Sequence, residues 1–148
     1  MNSELLHEGP YLRILWDEKT RIIGIDWKET TSAMTSEEFK ADLMLFATHV
    51  ETKRALGILV DVTKFQHKMQ PEVQEWRVRN ISTRYAAAGV RHFAFLFPPG
   101  AQIPAMMNQS APRERFLTRA FDNFERAGNW LAQDGILSPS AKSSKPDS

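Results

Sequence analysis

Apolar and polar residues alternate near the start of the chain. Leu12, Ile14 and Trp16 are separated by Arg13 and Leu15, and Ile23, Ile25 and Trp27 by Gly24 and Asp26. Period two with β-branched and aromatic residues predicts half-buried strands. They fall near residues 11–16 and 21–28, joined as a hairpin by the polar turn Asp17-Glu18-Lys19-Thr20. The period then changes. Phe39, Leu43, Phe46 and Val50 recur at helical spacing, and Thr35 followed by Glu38 has the form of a capping box. A helix over 36–54 is expected.

The short, almost wholly apolar run Leu56 to Val62 suits a strand covered on both faces, as in a parallel sheet. A polar loop from Thr63 to Gln70 leads to Pro71, at a position where helices accept proline. Val78, Ile81, Tyr85 and Ala88 continue a helix over 71–88, and Gly89 stops it. A second central strand is expected over 90–97, ended by Pro98-Pro99-Gly100. Pro104 and Pro112 bound a short helix near 105–115. An edge strand at 117–121 and a last helix near 122–133 follow, the helix started by Asp122 and Glu125, with Phe124, Ala127 and Leu131 inward. Strands alternating with helices predict an α/β fold: a single-layer mixed sheet of about five strands flanked by about four helices, with right-handed crossovers. Residues 1–10 read as an N-terminal extension, 11–135 as the domain, and 136–148 as a disordered Ser-, Pro- and Lys-containing tail.

Composition narrows the functions. With 19 Lys and Arg against 18 Asp and Glu, no global field favours nucleic acid. No apolar run approaches the ~18 residues that span a bilayer, and the start of the chain lacks a signal-peptide core, so a cytoplasmic protein is expected. There is no cysteine, and His7, His49, His67 and His92 show no ligand spacing, so neither metal nor cofactor is expected. No phosphate loop and no nucleophile–base–orienter set is visible, which points away from an enzyme.

Candidate binding residues cluster after the first central strand. Asp61 falls near its C-terminal end, where open α/β sheets place ligand sites. It reads either as a polar anchor or as a cap of the following turn. Thr63, Lys64, His67, Lys68 and Gln70 line the loop, either as a recognition surface or as a solvated connection. Trp76 is off the apolar face of its helix, and reads as packing against that loop or as an anchor for a partner. The N–H groups at the start of that helix would attract a carboxylate or phosphate. Trp16, Trp27 and Trp130 are expected in the core, while Met106-Met107 offer either an adaptable contact or loop packing.

Three segments carry a family resemblance: Ile58 to Thr63, Val90 to Phe97, and the ending from Phe121 to Leu131 (FDNFERAGNWL). Together with the element order they resemble the STAS-like, SpoIIAA-like bacterial domains. Such domains resemble anti-sigma-factor antagonists, and related architectures resemble CRAL-TRIO lipid carriers. The resemblance implies a non-enzymatic regulatory or protein-interaction module of bacterial signalling, or else a carrier or sensor of a small apolar ligand, with homodimerisation left open. One departure matters. Antagonists of this type carry a phosphorylatable serine before the second helix, where this chain has Gln66-His67-Lys68-Met69-Gln70-Pro71. The phosphorylation switch therefore does not carry over.

Overall fold

A computed structural model describes residues 3–103 and 116–136, with side chains to residue 132. The chain is α/β, built on one six-stranded mixed sheet whose spatial order is the chain order. The strands are β1 (Glu4–Glu8), β2 (Leu12–Asp17), β3 (Ile22–Trp27), β4 (Gly57–Asp61), β5 (His92–Leu96) and β6 (Leu117–Phe121). β1, β2 and β3 are antiparallel neighbours, and β3 to β6 are parallel. The apolar run read as a central strand is β4, paired on both sides.

The strand count exceeds the expected five because residues 4–8 form β1 instead of a plain extension. A bulge between Leu5 and His7 breaks its alternation, and glutamates end it, so no period-two signal marks it.

Helix α1 (Ser36–Lys53) starts on the expected capping box. The Glu38 N–H donates to Thr35 Oγ1 at 3.1 Å, and the Thr35 N–H to Glu38 Oε1 at 2.9 Å. α1 ends at Arg54, which takes the left-handed conformation (φ 55°) without being glycine. Two carbonyls at that end, of Lys53 and Arg54, accept hydrogen bonds from the Arg21 guanidinium at 2.9 and 2.8 Å. The helix over 71–88 is continuous but not uniform: α2 (Pro71–Arg77) passes through a π turn, Val78–Ser82, into α3 (Thr83–Ala88). Gly89 stops it at φ 101°, a value that favours glycine. α4 (Phe124–Ile136) begins two residues later than expected. Asn123, not Asp122, caps it, accepting the Arg126 N–H at 2.9 Å.

Alternation along the strands gives the sheet two faces. Ile14, Ile25, Ile58, Val60 and Phe93 point to the first, where α1 and the 71–88 helix bury them with Phe46, Val50, Ile81 and Tyr85. α4 packs on the second, its Ala127 and Leu131 on Ile22, Leu59, Ala94 and Leu96. Phe124, expected inward, is 50% exposed. The expected helix near 105–115 and the tail after 136 lie outside the described residues.

Candidate functional site

The loop after β4 is organised by its own residues. Asp61 Oδ1 accepts the Thr63 N–H at 2.9 Å and the Thr63 hydroxyl at 2.6 Å. The Asp61 carboxylate therefore caps the turn, one of its two expected roles. The Val62 N–H donates to the Leu96 carbonyl at 2.9 Å, carrying the β4–β5 pairing one residue further. Next, the Gln66 N–H donates at 2.8 Å to Oγ1 of Thr31, a fully buried residue in the 3₁₀ turn Glu29–Ala33. Thr31 in turn donates to the Lys28 carbonyl at 2.7 Å. A buried hydroxyl thus ties the loop to the chain just after β3.

Aromatic rings fix the middle of the loop. Phe65 lies 5.3 Å from Trp27, and His67 stacks on Phe39 of α1 at 5.3 Å and 21°. Trp27 and Phe39 themselves stack at 5.6 Å. His67 Nε2 is enclosed and finds no hydrogen-bond partner among the described residues. At Trp76 the side chain is half-buried, with the Lys40 ammonium 5.4 Å from its ring centre.

The six expected binding residues do not converge. Asp61 lies on the second face, in register beside Asp26 of β3. Burial raises the Asp26 carboxyl above its ordinary value and the neighbouring Asp61 raises it further, against the opposing pull of Arg13, Lys64 and Lys28. Lys64 belongs to this group. His67 belongs to the first face with Phe39, and Trp76 sits on α2 over Lys40. Gln70 precedes α2 without a side-chain cap, and Glu72 already brings negative charge to the first turn, which answers the expected attraction for an anion. Lys64, Gln66, Lys68, Met69 and Gln70 are exposed, Met69 by 37%. What the loop presents is a polar rim with one thioether, held from beneath by Asp61, Thr31 and the rings.

Sequence reading missed one of the residues that do the holding. Thr31 sits in a polar linker and gives no signal of burial. Asp26 does not hold the loop: its carboxylate accepts from Arg13 at 3.4 Å, on the face opposite Ile25 and Trp27. Among the described residues no three His, Asp or Glu side chains group as a metal-ligand set, and no helix is long and apolar enough to cross a membrane. No family model, curated protein or solved structure matches the chain.

Proposed function

We propose that the chain is a non-enzymatic protein-interaction module, a cytoplasmic regulator of the kind its STAS-like resemblance implies. It meets its partner through the loop over 62–70 and the first turns of α2. One observation carries this reading: the loop is fastened at Asp61, Thr31, Phe65 and His67, while Lys64, Gln66, Lys68 and Met69 face outward. A surface ordered before binding loses little conformational freedom on association. Among the described residues nothing comparable supports a carrier of apolar ligands. The rings that would line such a cavity pack on one another, Phe93 on Phe116 at 5.7 Å and Tyr85 on Phe93 at 5.9 Å. Two hollows of about 520 and 370 Å³, beside β6 and between α1 and α3, are open surface grooves.

The test is a photo-reactive side chain at position 69, used to capture and identify the partner in cells. Lys64→Glu, Lys68→Glu and Trp76→Ala should each weaken the purified complex, the strongest by ~10-fold or more, with circular dichroism unchanged. Equal affinity for all three folded variants would refute the proposal.

A further inference from the structure

The loop over 62–70 places one histidine among aromatic rings. The His67 ring lies 5.3 Å from that of Phe39, nearly parallel at 21°, and meets Phe65 edge-on at 6.1 Å and 73°. Phe39 is buried against Trp27, and Phe65 touches both. His67 thus completes a set of four rings shared by β3, α1 and the loop. Its Nε2 is enclosed and has no hydrogen-bond partner. The backbone beside it is tied down: the Phe65 N–H donates to the Val62 carbonyl at 3.1 Å, and the Gln66 N–H to Thr31 Oγ1 at 2.8 Å.

A charged imidazole carries a proton on both ring nitrogens, so Nε2 would become an enclosed donor without an acceptor. An enclosed charged donor left unpaired is strongly unfavourable. Stacking on Phe39 would attract the charged ring, yet it gives the Nε2 proton no acceptor. The charged groups on the surrounding elements turn elsewhere. On α1, Glu38 takes the Tyr11 hydroxyl and the Thr35 N–H, Lys40 lies over Trp76, and Asp42 is coupled to His7. Just after β3, Lys28 pairs with Glu8, and Lys64 of the loop acts on Asp26. Glu29, Lys68 and Glu72 are exposed.

We propose that His67 is a pH-operated latch on this loop. Neutral, it holds the loop against α1; charged, it leaves the rings, and the neighbouring Gln66 N–H comes away from Thr31. The proton is taken up only on release, so acid favours release. The effect is local. Asp61 still caps the turn at the start of the loop, and the buried Val73 holds α2 beyond its end. The use of the latch rests on the reading of this loop as the partner surface: a partner then meets a prepared surface near neutral pH and a loosened one in acid.

Amide exchange of the full chain alone, resolved by residue with NMR, tests this at about pH 7.5 and about pH 5.5. Rates are expressed against an unstructured chain at the same pH. A released imidazole titrates near ~6.5, so protection of the Phe65 and Gln66 N–H groups should fall by ~10-fold between the two conditions, with β4 unchanged. His67→Phe keeps a ring on Phe39 and cannot charge, so its loop should be equally protected at both. His67→Ala removes the stack and should show weak protection at both. A wild-type loop equally protected at both would overturn the proposal. So would an equal fall in His67→Phe, or full protection in His67→Ala. No partner takes part in the measurement, so its failure would leave the assignment of the loop as a partner surface standing, and failure of that assignment would leave the latch standing.

Discussion

The two faces of the sheet carry different kinds of surface. The first has no charged residue in the central strands. Ile23, Ile25, Ile58, Val60 and Phe93 meet α1 and the 71–88 helix, and Phe46, Ala47 and Val50 are completely buried against them. The second mixes Leu15 and Leu59 with Arg13, Asp26 and Asp61 in adjacent rows. The first face is specified by burial alone, and any apolar loss there is paid in stability. Among the described residues only α4 covers the second, over β4 and β5, and Leu5 of β1 is 51% exposed there, so its side chains are fixed less by burial.

The contrast is sharpest in large-to-small substitutions. Phe46→Ala should destabilise the chain by ~3–5 kcal/mol, because the ring is fully enclosed and its site cannot collapse freely. Leu15→Ala, at a half-buried position, should cost less than ~1 kcal/mol. Urea unfolding measures both, and equal costs would mean the two faces are equally covered within one chain. Thr31→Val sits between these extremes. It removes the acceptor for the Gln66 N–H and should cost ~1–3 kcal/mol. Amide exchange should quicken in the loop over 62–70 more than in β4, and uniform quickening would show that Thr31 does not hold the loop in particular.

The smallest expected effect is at the rim of the first face. Asp42 of α1 has one enclosed carboxylate oxygen without a partner among the described residues. Burial raises its carboxyl above the ordinary 3.8, with Glu38 adding to the rise and His7 opposing it. A raised carboxyl stabilises the fold below its unfolded value, and that contribution is lost as pH rises through the folded value. Asp42→Asn should therefore gain a fraction of a kcal/mol near neutral pH, and the gain should vanish below the unfolded value. Unfolding curves at about pH 7 and about pH 3.5 compare the two. A gain that is the same at both would show that ionisation of Asp42 is not its cause.

Much of the first face was legible because one physical period governed it. Phe39, Leu43, Phe46 and Val50 at helical spacing are all buried, and Thr35 and Glu38 form the expected box. The parallel run at 57–61 was equally plain, being apolar on both faces. Features set by tertiary contact were not. β1 hides behind a bulge, and the π turn at 78–82 leaves the apolar spacing helical while it re-aims the chain. Phe124 looked inward because its spacing to Ala127 and Leu131 is helical, yet it lies at the very start of α4, at the edge of the covered area. At the site, the loop and its exposed residues could be read from position alone. That Asp61 and His67 would fall on opposite faces depended on how the loop crosses the strand end, which no local pattern encodes.

The order of the strands also bears on how the sheet can form. Each described strand pairs with the strand next to it in the chain. No described strand has to insert between two that are already joined. A sheet wired in this way can lengthen by one neighbour at a time, and each step closes only the segment just made. The hairpin of β2 and β3 needs only a four-residue turn, Glu18 to Arg21, and can seed the growth. A chain leaving the ribosome could begin to pair while α4 is still unsynthesised, and in that interval the second face would stand without its helix.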